Sequence, residues 1–304
     1  MIRAHDPASL WPDAREQTIH DALEVSASGV KPRAGGWDFS LRNGSDLPGA
    51  ARLADSWLQL SLRPAGVRRK LTSPGLPWRM LETNATLPGN GKLVVDARTH
   101  RLYAAADVVL PEEAGHGDVP ARVGDACRGL KLAVAWLACE TDDVAEAPPA
   151  KKNDELGARL AERCREAGWP GKEQARGGLR IDLGERAPAI VSARDGGVHV
   201  SVGLAQTDDV PRASQRPLAL FLIGLGAALR LVRPAVADGE VVLEAGFESL
   251  PSPAELARAF QACCVGVRTG AAEVRALLDA DLAETYLALH GGAICNATRE
   301  TEDE

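Results

Sequence analysis

The sequence predicts an α+β protein with two tandem units of the order α-β-β-β-α-β-β-α, each an antiparallel sheet packed by helices. Helical and alternating apolar patterns recur in the same order in both halves of the chain. Both halves reach a Leu-Pro step before their last helix, at Leu110-Pro111 and Leu250-Pro251. The length of 304 residues suits two domains, since single domains commonly hold about 100–200 residues.

A polar, charged and Pro-containing stretch divides the two units. We assign residues 1–140 to the first unit, 141–153 to a linker, 154–290 to the second unit and 291–304 to an acidic tail. The linker has the sequence TDDVAEAPPAKKN and the tail ends in RETEDE. Such compositions are typical of solvated, disordered chain that has no apolar core of its own.

Each unit opens with an amphipathic helix, over residues 13–27 and 154–167, and an alternating strand follows. The apolar positions of the two strands correspond in order: Trp37, Phe39 and Leu41 in the first unit, and Leu179, Ile181 and Leu183 in the second. We expect the strand tryptophans Trp37 and Trp57 to lie in the core, and Trp169 to cap the helix that it follows.

Two hairpins are predicted in each unit, over 51–62 and 92–110 in the first and over 189–202 and 235–248 in the second. Asp195-Gly196-Gly197 and Asp238-Gly239 supply the positive φ angles that tight hairpin turns need. After the second hairpin of the second unit, Ser252, Pro253 and Glu255 form a capping box with Pro at the first helical position. A further helix is predicted over 271–289.

A central helix separates the two hairpins of each unit, over 76–87 and 212–232. The second of these helices is apolar on nearly every side, so it must be buried on every side. One sheet covers only one of its sides. Either the two units pack as a pseudo-dimer across this helix, or helix 271–289 folds back over it.

Residues 217–264 resemble the type III secretion chaperone-like fold, and more narrowly the YbjN family of bacterial proteins. A Leu-rich helix, a short strand, an Asp-Gly turn, an alternating strand and the helix entry LPSPAEL carry the likeness, and HRLYAAADVVLP is a fainter version in the first unit. The resemblance implies a small sheet backed by helices, acting in pairs and holding non-globular segments of partner proteins without a nucleotide. This chain departs from those families in carrying two units and a longer final helical region.

Composition narrows the classes of partner and location. The net charge of −7 argues against a nucleic-acid backbone as the partner. The most apolar run, 218–232, is too short for a membrane span, and no signal pattern opens the chain, so we expect a cytoplasmic protein. The six cysteines are then expected to be reduced, and Cys164 and Cys263 fall on apolar helix stripes that indicate core positions.

Motifs for catalysis, metal binding or phosphate binding are weak in this sequence. The histidines are scattered, and the loop 88–92 (PGNGK) lacks the spacing of a phosphate-binding loop and is better explained as a turn. Gly224 and Gly226 are expected to permit close helix packing. The acidic groups suit a linker, a helix start and an exposed helix face: Asp142-Asp143, Asp208-Asp209, and Asp279 with Asp281 and Glu284.

The sequence therefore assigns no catalytic, cofactor-binding or metal-binding residue, implies no cofactor, and leaves the protein-binding residues unlocated. It favours a non-enzymatic, chaperone-like or adaptor-like protein-binding module that holds a partner protein on apolar surface patches, with no nucleic acid and no membrane as partner. The alternative is a small-ligand-binding protein or an enzyme with a site between the two units. A deep polar pocket would favour the alternative, and a broad shallow patch the binding module.

Overall fold

Two six-stranded antiparallel sheets with the same strand order form the framework of the computed structural model. The structure describes residues 14–43, 45–62, 73, 75–96, 101–110, 119–138, 154–174, 178–184, 187–194, 197–279, 281–283 and 285. The predicted linker 141–153 and acidic tail 291–304 lie outside these residues. The helices are α1 (Ala14–Ser26), α2 (Leu76–Thr86), α3 (Val119–Ala138), α4 (Asp154–Glu166), α5 (Arg212–Ala228) and α6 (Pro253–Leu278).

The twelve strands divide evenly between the halves of the chain. The first sheet contains β1 (Ser28–Arg33), β2 (Gly36–Asn43), β3 (Ser45–Ala54), β4 (Trp57–Leu62), β5 (Lys92–Val95) and β6 (Leu102–Val109). The second contains β7 (Gly171–Glu173), β8 (Leu179–Ile181), β9 (Ala189–Arg194), β10 (Gly197–Gln206), β11 (Arg233–Ala237) and β12 (Glu240–Phe247). The orders are β1-β2-β3-β4-β6-β5 and β7-β8-β9-β10-β12-β11, so the repeat is present in the topology as well as in the sequence.

Each unit has one strand more than the sequence predicts, so its order is α-β-β-β-β-α-β-β-α. The additional strands, β1 and β7, lie at the outer edges of the two sheets and pair only with β2 and β8 among the described strands. Nearly all their residues are exposed or partly exposed. They carry no alternating apolar pattern, and Val30 of β1 is partly buried against the core.

One face of each sheet is covered by the first and last helices of its unit. In the first unit α1 and α3 bury Trp37, Phe39 and Leu41 of β2, as predicted. In the second, α6 packs its stripe of Leu256, Phe260, Cys263 and Val267 against β10 and β12. The backbone N–H of Trp169 donates to the carbonyl of Cys164 at the end of α4, and the Trp169 ring is tilted by 48° to the Phe260 ring, with 5.5 Å between the ring centroids.

Each central helix packs against a strand of the other unit. Helix α2 packs chiefly on β11 of the second unit, while α5 packs on β5 of the first, and the two helices also contact each other. Helix α5 is covered on a further side by α6, where the Leu225 side chain lies against Gly270. The first unit thus covers one side of this helix, as the pseudo-dimer alternative predicts, whereas the α6 glycines that its leucines approach, Gly266 and Gly270, precede the predicted helix 271–289.

Two predicted helix boundaries are wrong. Helix α5 ends at Ala228 rather than at residue 232, and Leu231 takes a left-handed φ of 64°. Contacts from the first unit satisfy the backbone of this turn. Residues 271–278 of the predicted separate helix 271–289 are instead the end of α6, which runs unbroken from Pro253 to Leu278, and residues 281–283 and 285 are helical again after Asp279. The predicted capping box is present at its start.

Gly224 and Gly226 in α5 differ in their surroundings. A Cβ at Gly226 would lie 2.8 Å from Cδ of Pro234 and 3.4 Å from Cγ1 of Val94, whereas a Cβ at Gly224 meets nothing within 4 Å. Only Gly226 therefore has the close-packing role that the sequence predicts for both.

We expect alanine at these two positions to have opposite effects on stability. Gly224→Ala should raise the free energy of unfolding by about 0.5–1 kcal/mol, because glycine costs conformational entropy in a helix. Gly226→Ala should lower it by about 1–3 kcal/mol, because the methyl group collides with the rigid ring of Pro234. Urea denaturation of the two variants measures both effects, and equal changes would contradict the packing of α5 on β11.

Candidate functional site

Two candidate sites lie where the units meet: the buried seam between the exchanged elements, and an open cleft at its margin. We define the seam by the starts of β5 and β11, the loops that precede them, and the acidic residues of β6 and β12. Four of its charged residues are almost fully buried: Lys92, Asp107, Arg233 and Glu244.

Lys92 opens β5 and reaches into the second unit. Its Nζ lies 2.8 Å from Oδ2 of Asp107 on the neighbouring β6 and donates to the backbone carbonyls of Leu229 and Val232, at 2.6 and 3.4 Å. Asp107 Oδ2 also accepts from the N–H of Leu231 at 2.9 Å. The turn after α5 is therefore held by an ion pair of the first unit, which stabilises the positive φ of Leu231.

Arg233 opens β11 and makes the reciprocal contact with the first unit. Its Nη2 lies 2.6 Å from Oε1 of Glu244 on β12, and its Nη1 donates to the carbonyls of Gly89 and Gly91 at 3.0 and 2.8 Å. His199 Nδ1 lies 3.5 Å from the same Glu244 oxygen. The glycine-rich loop 88–92 is thus a turn, as predicted, and two of its carbonyl oxygens also bind the buried guanidinium of Arg233.

Asn84 at the end of α2 links the two sheets directly. Its Nδ2 donates to the carbonyls of Leu93 on β5 and Pro234 on β11, at 3.3 and 3.0 Å, and its Oδ1 accepts from the N–H of Leu93 at 2.7 Å. The side chain is fully buried. Only its hydrogen bond to Pro234 needs the second unit, and through this bond the buried Asn84 side chain ties α2 to β11.

Further ion pairs join α3 to the second unit. Arg122 Nε lies 2.8 Å from Glu255 Oε1, and Arg128 Nη1 lies 3.4 Å from Glu248 Oε2. Burial raises the pKa of Asp125, and the carboxylate of Glu248 raises it too, although Arg128 and Arg122 act in the opposite direction. Arg122, Asp125, Glu248 and Glu255 line a cavity of about 20 Å³ at the seam, which has room for about one water molecule.

The cleft at the margin of the seam is larger and open to solvent, with a volume of about 450 Å³. It is lined by Arg15 of α1, the turn residues Asp55 and Ser56, Trp57 at the start of β4, and Arg258 of α6. Four of these residues belong to the first unit and Arg258 belongs to the second. The complete cleft therefore exists only in the paired arrangement.

The hairpin turn that forms one wall of the cleft is held at both of its residues. The Arg15 guanidinium donates to the carbonyl of Asp55, whose φ of 45° is left-handed. The N–H of Leu110 donates to the carbonyl of Ser56 at 2.8 Å. Trp57 follows, paired with Ala54 on one side and Val109 on the other. The wall is thus preorganised, which lowers the entropic cost of binding.

The three buried thiols of Cys127, Cys164 and Cys263 are poorly suited to nucleophilic chemistry. Burial raises the pKa of Cys127 to about 11 and that of Cys164 to about 12, and it raises the pKa of Cys263 further. A thiolate is the reactive species, so these groups remain protonated near neutral pH. Cys164 and Cys263 lie in the core, as the sequence predicts.

The other groups singled out from the sequence are dispersed. Asp208 and Asp209 lie in a short 3-10 turn before α5, and Asp279 ends α6, where its Oδ1 accepts from the N–H groups of Asp281 and Leu282. Asp142-Asp143 lies outside the described residues, and so does the side chain of Glu284. Among the described side chains, no group of three or more His, Cys, Asp or Glu is placed to hold a metal ion.

The seam residues have a signal in the sequence, although none of the sequence-based predictions used it. Asp107 and Glu244 are acidic residues in the interior of apolar strands (LYAAADVV and EVVLEAGF). Lys92 and Arg233 stand at the first positions of short apolar strands. A lone charge in a buried strand requires a partner of opposite charge, and here each unit supplies one such pair.

Comparison with known proteins adds no family: no protein-family model matches the chain, and a search of curated proteins finds no relative. Within the described part of the chain, no helix has the length and apolar character needed to cross a membrane.

Lys92→Met should destabilise the protein by about 3–5 kcal/mol, because it leaves Asp107 buried without its cation. Lys172→Met removes the same charge from an exposed position on β7 and should change the free energy of unfolding by no more than about 0.5 kcal/mol. Urea denaturation compares the two variants. Similar effects for both would contradict the burial of the Lys92–Asp107 pair.

The seam also predicts a loss of stability in acid. Burial opposes ionisation of Glu244, but Arg233 and His199 outweigh burial and lower its pKa to about 2. This folded-state pKa lies below the ordinary value of 4.5, so the ionised group stabilises the fold above pH 4.5 and this stabilisation is lost as the pH falls toward 2.

Glu244→Gln should therefore cost about 3 kcal/mol at pH 7 and progressively less as the pH falls from 4.5 toward 2. Glu162→Gln, at an exposed position of α4, serves as the matched control. Urea denaturation of wild type and both variants across this pH range measures the difference. A cost that stays constant with pH would show that the charge of Glu244 does not stabilise the seam.

Proposed function

We propose that the protein is a cytoplasmic, non-enzymatic protein-binding module, chaperone-like or adaptor-like, that holds a partner segment in the cleft formed jointly by its two units. The observation that carries this proposal is the cleft itself. It combines a partly exposed tryptophan, Trp57, on a preorganised wall with two arginines, Arg15 and Arg258. Trp and Arg are the residue types that most often dominate the binding energy of protein interfaces.

The resemblance of residues 217–264 to secretion chaperone-like and YbjN-like sequences supports the same proposal. This stretch contains most of α5, then β11, β12 and the first half of α6, which carries Arg258. Families of that kind act as paired units, and here the pairing occurs within one chain. The proposal extends their mode of action to this chain and makes the partner a protein.

The seam cavity offers little support for the alternative of a small-ligand site deep between the units. Charged residues converge on it, but its volume of about 20 Å³ is far below the roughly 300–1,000 Å³ of typical ligand pockets. The cleft has a volume within that range, but it is open to solvent. A free small molecule would leave much of its surface in water there, whereas a side chain of a bound segment is held by contacts on both sides.

The outer edge strands are unsuited to binding a partner by strand addition. Strand β1 carries Lys31, Pro32 and Arg33 and a register shift opposite β2, while β7 is only three residues long. Charged residues, proline, irregular pairing and short length are the features that keep sheet edges from pairing with other chains. We therefore place partner binding at the cleft.

The proposal is tested by affinity capture from extracts of the native cell with the full chain as bait. Trp57→Ala should lose the captured protein, and Trp78→Ala, which removes another partly buried indole from α2, should retain it. Circular dichroism and thermal unfolding establish that both baits are folded. A partner retained by Trp57→Ala, or no specific partner together with turnover of a metabolite by the wild-type chain, would overturn the proposal.

A further inference from the structure

From the hydrogen-bonding groups of the cleft we infer that its occupant is an extended, proline-rich segment of the partner protein. Proline rings of this segment pack against the indole of Trp57, and its backbone carbonyls accept hydrogen bonds from the Trp57 N–H and the Ser56 hydroxyl, both of which line the cleft. The inference rests on the proposed function and specifies the chemistry of the partner.

The side chains of the preorganised wall supply hydrogen-bond donors. Ser56 and Trp57 line the cleft, and both are partly exposed. Within the described part of the chain, neither the Ser56 hydroxyl nor the Trp57 indole N–H has a hydrogen-bond partner. An indole N–H can only donate, and a hydroxyl can donate as well as accept. A segment that presents carbonyl oxygens to this wall therefore forms hydrogen bonds with both groups.

The main-chain carbonyls of the wall are already engaged. That of Asp55 accepts from Arg15, that of Ser56 accepts from the N–H of Leu110, and Trp57 begins a strand that is paired on both sides. The Asp55 carboxylate belongs to an exposed residue, so it keeps its hydration. Backbone N–H groups of an occupant would thus face this wall unpaired, which costs free energy for each of them. Proline has no backbone N–H, so a proline-rich segment avoids this cost.

The rigidity of the wall favours an occupant that is itself stiff. Trp57 follows a two-residue turn in which Asp55 has a left-handed φ of 45°, and the backbone that carries the indole is fixed in the sheet. Proline-rich chains adopt the extended polyproline II conformation before they bind, and their carbonyls form no hydrogen bonds within the chain. Such a segment loses little conformational entropy on binding, and aromatic side chains are the surfaces on which it commonly docks.

Recognition of this kind does not depend on the charges of the cleft. The indole, the hydroxyl and the carbonyl groups are neutral, and salt screens interactions between charges while it leaves such contacts nearly unchanged. An acidic or a basic segment would instead bind through the charged side chains of the lining, and its affinity would fall as the salt concentration rises. The salt dependence therefore separates a proline-rich occupant from a charged one.

The experiment uses the full chain, immobilised and panned against a phage-displayed library of random dodecapeptides. Enriched peptides should contain at least two prolines. Replacing these prolines with alanine in synthetic copies should weaken binding at least about tenfold, because alanine restores both the N–H groups and the flexibility. Affinity for the wild type should change by less than about twofold between about 50 and about 500 mM NaCl.

Two variants test the donors separately. Trp57→Phe keeps an aromatic ring but removes the N–H, and Ser56→Ala removes the hydroxyl. Each should weaken peptide binding by about threefold to tenfold, the loss expected for one hydrogen bond. Trp78→Phe, on α2 and outside the lining of the cleft, is the matched control and should leave the affinity within about twofold. Thermal unfolding verifies that the variants are folded.

The inference is wrong if panning enriches no peptide or peptides without proline, if Trp57→Phe and Trp78→Phe weaken binding equally, or if the affinity falls steeply with salt. These outcomes are distinct from failure of the proposed function. A protein captured by the wild type and lost by Trp57→Ala would still support a protein-binding cleft, even if its bound segment proved to contain no proline.

Discussion

Each unit places one buried cationic side chain against carbonyl oxygens of the other unit, and the rest of the structure depends on these contacts across the seam. An ionised side chain that is removed from water costs several kcal/mol unless partners compensate it. Lys92 and Arg233 each find one carboxylate in their own unit and two carbonyl oxygens in the other. Neither unit satisfies its own cation alone. The two units therefore stabilise each other, and α2 and α5 bury their apolar surfaces only in the same arrangement.

A single chain with two units can also carry different residues at equivalent positions. When the buried stripe Val123, Cys127, Leu130 and Val134 of α3 is matched to Leu256, Phe260, Cys263 and Val267 of α6, Arg122 corresponds to Glu255 and Asp125 to Arg258. Arg122 and Glu255 form an ion pair across the seam. Identical units would place like charges there, which repel. These differences between the two units thus favour pairing within the chain, and Arg258 lies at the cleft whereas the corresponding residue of α3 is Asp125.

The sequence predicted the elements whose signals are local. The capping box at Ser252 and the Asp238-Gly239 turn, with φ angles of 50° and 78°, depend on neighbouring residues and are present as predicted. The sequence did not predict strands β1 and β7, because they lack an apolar pattern. It did not predict the end of α5, because contacts from Lys92 and Asp107 in the other unit terminate this helix. The cleft could not be predicted, since Trp57 and Arg258 are brought together only by the pairing of the units.

The stretch that resembles the chaperone-like families coincides with the elements that pair the two units. Residues 217–264 include most of α5, then β11 with Arg233, β12 with Glu244 and the start of α6. In this structure these elements meet one physical demand, which is to bury the apolar helix α5 against a second unit, although the side of α5 with Leu220, Gly224 and Ala227 stays partly exposed. Such a demand constrains sequence wherever units pair, whatever they bind. The choice of partner must then be determined by positions at which the two units differ. The cleft is such a place, because one unit contributes its tryptophan and the other contributes an arginine.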